Sequence, residues 1–421
     1  MRWLYGITVV CCAACAAGPP SLRAQAETPG EGHSAESAAP LESPLDEPLD
    51  GRDGRQLLLD RFRPEPMLKT PQHRLDHAKF PVIDVHTHFR YRLRHSPEML
   101  DAFVSLMDRH NIALCVSLDG KLGDELEEHK QYLWDKYPDR FLIFANLDWR
   151  GGGDEDDPAT WACNRPDFAR RMVEALTDAK RRGVSGLKIF KQFGLGYRNA
   201  DGSLIEIDDR RFDPIWEACG KLGLPILIHT ADPAAFFLPI DEKNERWEEL
   251  HRHPEWSFYG DAYPSREQLL AARNRVIARH PKTTFIGAHV ANNPEDLQVV
   301  REWLEKHPNL VIGFASRIAE LGRQPYSARK LFLDFPDRIL FSTDGPWPEL
   351  RISYYWRFLE TFDENFPYSE KEPPPQGMWR IHGLGLPDDV LRKVYHENAL
   401  RVIPGAREKY EREVERMKDE G

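Results

Sequence analysis

From Phe80 onward the chain repeats one unit eight times: a short apolar, often β-branched run, then a stretch whose apolar residues recur with helical spacing. The runs occupy residues 82–85, 112–117, 141–146, 186–190, 225–229, 283–289, 309–314 and 338–343. Helical segments between them include 97–110, 124–137, 166–182, 208–222, 267–280 and 295–307. The runs are almost continuously apolar, which fits strands covered on both faces, as in a parallel sheet. Eight such units over roughly 320 residues predict an α/β chain folded as a (β/α)8 TIM barrel, larger than the usual ~250 residues. The competing arrangement is a doubly wound open sheet, but no G-x-G-x-x-G opens the first helix to make a dinucleotide site. The loop after strand five, 230–265, is long and holds Phe236, Phe237, Trp247, Trp256, Phe258 and Tyr259, so it is expected to be a lid. Extra C-terminal elements follow strand eight: a helix near 351–366, a proline-rich turn at 373–375, and helices near 388–402 and 406–418.

Ahead of the barrel, Met1 and Arg2 precede an apolar run over 3–17, and Ala24-Gln25-Ala26 offers small residues for cleavage, the pattern of a signal peptide over 1–26. The run is short for a membrane-spanning helix. A secreted or periplasmic protein is expected; the alternatives are an uncleaved anchor, or a lipid anchor after cleavage near Ala13-Ala14-Cys15. Cleavage after Ala26 would leave Cys115, Cys163 and Cys219, an odd number at no metal spacing, so no disulfide framework follows and buried packing is their ordinary role. Residues 27–50 contain seven Asp or Glu and no Lys or Arg. With the prolines beyond them they mark 27–79 as a solvated tether and lead-in, before a barrel over 80–405 and a terminal helix over 406–421. A net charge of −11 excludes a protein that coats nucleic acid. A homo-oligomer is allowed.

Any one of sixteen histidines says little. Their placement says more. His86 and His88, in Asp84-Val85-His86-Thr87-His88, follow strand one and should leave the backbone on the same side. His229 ends strand five, His289 ends strand six and Asp344 ends strand eight, all at the carboxyl edge where barrel active sites are built. Several imidazoles and a carboxylate converging there would be poor packing material, because buried polar groups need partners. A divalent metal ion resolves this. Imidazole nitrogen and carboxylate oxygen suit Zn2+ first, and also Mn2+, Fe2+ or Ni2+.

The order of H-x-H after strand one, Lys188 after strand four, His229, His289 and Asp344 resembles the amidohydrolase superfamily. Within it, the chain is similar to the amidohydrolase-related branch that includes aminocarboxymuconate semialdehyde decarboxylase and resorcylate decarboxylases. The likeness covers 82–403, including Tyr395-His396-Glu397-Asn398-Ala399. It implies a metal held by His86, His88, His229 and Asp344, with His289 as a second metal's ligand or a catalytic base. Lys188 has three readings: a carboxylated bridge between two ions, a cation for an anionic substrate, or a rim lysine whose stem alone is buried. One ion is expected rather than two.

The expected function is metal-dependent hydrolysis of a C–N or C–O bond in a small-molecule amide, lactone or ester. The ion would activate water, with Asp344 passing the proton and His289 polarising the carbonyl. The alternative is a metal-dependent decarboxylase acting on a small carboxylic acid. A noncatalytic ligand-binding barrel would show a broken ligand set, which this chain does not. Arg317 and Arg90 are candidates for gripping a carboxylate, and Asp232 and Trp347 for touching substrate. No G-x-S-x-G, Walker A or H-E-x-x-H sequence offers a different chemistry.

Overall fold

The computed structural model describes residues 64–420 together with Arg52, Leu57, Leu58, Arg61 and Phe62. The expected signal segment and most of the acidic tether lie outside the described residues. Residues 64–69 carry no regular secondary structure. The compact unit that contains the barrel takes in the chain from Thr70 on.

Eight parallel strands pair in chain order: β1 Val82–Thr87, β2 Ile112–Ser117, β3 Phe141–Asn146, β4 Gly186–Ile189, β5 Ile226–Ile228, β6 Phe285–Gly287, β7 Leu310–Gly313 and β8 Ile339–Leu340. The ends meet. Val85 N–H donates to Phe341 O (3.1 Å), Asp344 N–H to His86 O (2.9 Å) and His88 N–H to Gly345 O (2.7 Å), closing the sheet into a barrel. Helices cover its outside, as the amphipathic spacing predicts. Phe168–Arg181 buries Phe168, Met172, Leu176 and Ala179 along one face, and Arg266–Arg279 begins in a capping box between Ser265 and Gln268.

The barrel is filled by alternate residues of its strands, among them Ile83, Val85, Leu114, Val116, Leu142 and Phe144, and Ala399, Ile403 and Ala406 from the C-terminal helices join this cluster. Gly186 has no side chain because the Phe144 ring takes the space; a Cβ there would sit 2.5 Å from the ring. Ile83 and Val85 point inward, so strict alternation would send His86 outward with Asp84. A bulge prevents this: Asp84 to Thr87 of β1 spans only Cys115 to Ser117 of β2, and the extra residue turns His86 into the barrel beside His88.

Several expected boundaries move. The runs 225–229, 283–289 and 338–343 shorten because the chain leaves the pleat at the rim; His289 has φ 54° and Asp344 φ 67°, both left-handed. The helix expected near 351–366 spans Glu349–Glu360 and stops where β-branched Thr361 turns extended. Loop 230–265 carries its own structure, the turn Ala234–Phe237, the helix Trp247–Arg252 and the turn Pro254–Trp256. The buried Arg246 guanidinium holds it by bonding Glu249 (2.7 Å) and Glu320.

On the helix Asp124–Trp134, wholly buried His129 is hydrogen-bonded to Ser117 at the end of β2 (2.8 Å) and to His95 (3.0 Å). Burial drives its pKa down to about 4. An unfolded chain takes up this proton near pH 6.5, whereas the folded one does so only near 4, so the stabilisation is full above pH 6.5 and declines as pH falls between the two. We expect unfolding free energy to drop on acidification from pH 7 to 4.5, with about 2 kcal/mol due to this residue. Urea titrations of the parent and of His129→Asn check it; parallel pH slopes would refute the assignment.

Candidate metal centre

His86 and His88 enter the barrel from β1, and Asp344 arrives from the turn after β8. One donor atom from each lies within 4.8 Å of the others. Asp344 Oδ1 is 3.4 Å from His88 Nε2 and 3.6 Å from His86 Nε2. Behind His88, its Nδ1 is hydrogen-bonded to Asp119 Oδ1 at 2.6 Å, and the other Asp119 oxygen accepts from Arg90 N–H (2.9 Å). With Nδ1 on Asp119, His88 turns Nε2 toward the Asp344 carboxylate, and an imidazole nitrogen and a carboxylate oxygen placed this close are donor types that suit a bound cation.

The other two imidazoles complete a cluster. His289 lies 5.0 Å from His86 and 4.5 Å from His229, ring centre to ring centre. His289 Nδ1 bonds the Ala315 carbonyl (2.8 Å), which leaves Nε2 as its proton acceptor. His229 Nε2 faces Ala231 O (3.1 Å) and Asp232 Oδ1 (3.4 Å), which leaves Nδ1 as its acceptor. Burial, reinforced by nearby positive charge, keeps these rings neutral: His86 and His289 are held well below the usual histidine range and His229 at about 4. Burial alone would raise the Asp344 carboxyl, but Arg92, His88 and Lys188 outweigh it and hold it low. Lys191, bonded to Asp232, does the same for that carboxylate.

These groups line a cavity of about 370 Å³. Lys188, only 1% exposed, lies in its wall with Nζ 4.9 Å from the Phe190 ring centre. Arg317 also lines it; Nη1 donates to Ser316 O (2.9 Å), and its buried Nε has no hydrogen-bond partner among the described residues. Trp347 and Asp232 are in the wall as anticipated. Arg90 is not: its guanidinium turns away to Glu125 (3.2 Å). The residue facing the site is Arg92, one helical turn beyond His88, which stacks on Trp347 at 3.9 Å and approaches Asp344 Oδ1 at 3.9 Å. Loop 230–265 contributes Phe236, Arg246 and Trp256, and the proline-rich segment contributes Lys371, Pro373 and Gln376.

Asp119, Arg92 and Ser316, whose hydroxyl bonds Asp344 Oδ2 at 3.1 Å, escape the sequence reading. Asp119 carried a usable signal, an acidic residue just beyond strand two. Replacing it with Asn should lower affinity for Zn2+ or Mn2+ by about 10- to 100-fold if His88, whose ring it orients, is a ligand. Chelator competition on the purified protein measures this, and unchanged affinity would remove His88 from the centre.

The sequence model of one family, described as Amidohydrolase, matches residues 83–405. Similar solved structures include 2,6-dihydroxybenzoate decarboxylase from Rhizobium, at 18% identity, 76% of this chain, 98% of that chain and a TM-score of 0.46. Others are a dihydroxybenzoic acid decarboxylase from Polaromonas sp. JS666 with bound manganese (17%, 77% and 96%, 0.44) and 4-oxalomesaconate hydratase from Rhodopseudomonas palustris (16%, 79% and 99%, 0.45). With its barrel matched almost from end to end and a His-His-Asp group at the rim, the chain belongs to the amidohydrolase family of metal-dependent enzymes.

Proposed function

We propose that the protein hydrolyses a C–N or C–O bond in a small molecule, using one divalent ion, zinc before the others, held by His86, His88, His229 and Asp344. The observation that carries this reading is the convergence of His86, His88 and Asp344 on one point of the cavity, with neutral His289 packed against them. A bound divalent ion lowers the pKa of water from 15.7 toward about 7 and polarises a carbonyl oxygen. Asp344, kept ionised by its cationic neighbours and oriented by Ser316, takes up the proton of the attacking water and returns it to the leaving group. His289, with Nδ1 committed to Ala315, offers Nε2 to the reacting group. Arg317 and Lys188 place positive charge in the wall, which favours a substrate bearing a carboxylate.

That same positive wall supports a second reading, decarboxylation, in which the carboxylate held near the centre departs as CO2. The two separate by product. The zinc-loaded protein, offered a panel of amides, lactones, esters and aromatic carboxylates, should release new acid or amine without CO2. Release of CO2 alone establishes the second reading. In either case Asp344→Asn should abolish turnover, and His289→Gln should lower kcat by about 10²- to 10⁴-fold with little change in KM. Turnover that survives both substitutions would overturn the site itself.

A further inference from the structure

Four consecutive residues after β6 are left-handed: His289, Val290, Ala291 and Asn292 have φ of 54°, 60°, 51° and 56°. For L residues this crowds Cβ against the following carbonyl, and β-branched Val290 suffers most. Single left-handed residues are ordinary; a whole turn is not. Such backbone persists only where its surroundings impose it, and it clusters at functional sites.

The surroundings are specific. The turn folds back on the end of its own strand, where a Cβ on Gly287 would lie 2.8 Å from that of Ala291. Asn292 is 2% exposed and spends its whole amide on the β5 loop, with Oδ1 accepting from Thr230 N–H (3.0 Å) and Nδ2 donating to Ala231 O (2.6 Å). Thr230 and Ala231 directly follow His229, and the same Ala231 carbonyl faces His229 Nε2. The helix Arg266–Arg279 supplies two buried arginines to this region. Arg266 donates to Asn292 O (2.6 Å), Asp232 O (3.1 Å) and Glu295 (2.8 Å). Arg273, fully buried, donates to Ala291 O and to the side chain of Asn274 rather than to a carboxylate. A guanidinium buried on such partners is costly to retain unless those carbonyls need holding.

We propose that Asn292 is a positioning residue: its amide ties the left-handed turn carrying His289 to the loop carrying His229, so that one unit sets both imidazoles. Arg266 and Arg273 keep that unit from relaxing. The role rests on the reading that these rings serve the metal centre, and it concerns geometry rather than contact with substrate.

The test uses the full chain with metal alone: zinc affinity by chelator competition, and the visible absorption of the Co2+-loaded protein. Asn292→Asp keeps the acceptor for Thr230 but loses the donor to Ala231, and should lower zinc affinity about 10- to 100-fold and shift the cobalt bands. Asn292→Gly, which accepts the left-handed backbone freely, should do the same and covers the case in which the aspartate fails to fold. The control is Asn398→Asp, which loses a buried donor to Pro336 O (2.7 Å) and Ile339 O (2.8 Å) at the start of β8 and should leave both readouts at parental values. Parental affinity and spectrum in the Asn292 variants, or an equal loss in the Asn398 control, overturns the positioning role. If His229→Ala also binds zinc like the parent, the metal-centre reading fails, and the positioning role fails with it. If His229→Ala loses zinc while the Asn292 variants do not, only the positioning role falls.

Discussion

The seam between the first and last strands is the constraint on which the rim depends. Asp84, buried in β1, accepts hydrogen bonds from Thr343 N–H (3.1 Å), Thr343 Oγ1 (2.5 Å) and His86 N–H (3.1 Å), joining residues 259 apart in sequence. Burial pushes the Asp84 carboxyl up to about 7, against the pull of those donors. Two residues further along β1, and one beyond Thr343, Asp344 N–H meets His86 O. Barrel closure and assembly of the metal centre are therefore the same event. A chain that had not closed β8 onto β1 would have neither a sealed core nor a carboxylate beside the H-x-H pair.

At the rim, the fold trades regular backbone for side-chain direction. His289, Ser316 and Asp344, at the ends of three successive strands, all have left-handed φ, which costs about 1–2 kcal/mol per residue in an L chain. The neighbouring turns brace one another in return. Ala315 O bonds His289, Ala315 N–H donates to Ser342 Oγ, and Ser316 Oγ donates to Asp344. The turn after β7 thus holds a side chain of the turn before it and of the turn after it, and rigidity at the site comes from contacts between strand ends rather than from the strands alone.

The sequence was informative where the physics is local. Apolar runs bounded by helical spacing located all eight strands, and β2 and β3 to the residue, because strands buried on both faces leave little choice of composition. The rim histidines and Asp344 were legible because polar groups at those positions have no packing role. The bulge in β1 was not legible: Asp84-Val85-His86-Thr87-His88 alternates identically whether or not a residue is inserted, and only pairing with β2 reveals it. Arg90 and Arg92 follow His88 by two and four residues, and the helical phase of Phe89–Leu93 separates the one that reaches Glu125 from the one that reaches Asp344. Asp119, Ser316 and the left-handed turn depend on contacts between distant segments, which no periodicity encodes.

Charge explains why such a site keeps its ligands ready. Lys188 lowers the proton affinity of His86, His229 and His289, Arg317 adds to this at His289, and Lys188 and Arg92 together hold Asp344 ionised. Every one of these effects acts in the same direction. Neutral imidazoles and an ionised carboxylate are the forms that bind a cation, and protons compete poorly for either until the solution is well acidic. Arg92 stacks on Trp347 with its guanidinium 3.9 Å from Asp344 Oδ1, and Lys188 Nζ lies 4.9 Å from the Phe190 ring centre, so fixed positive charge stands close around the centre. Such charge also suits an anionic substrate arriving from the cavity side, where Arg317 stands.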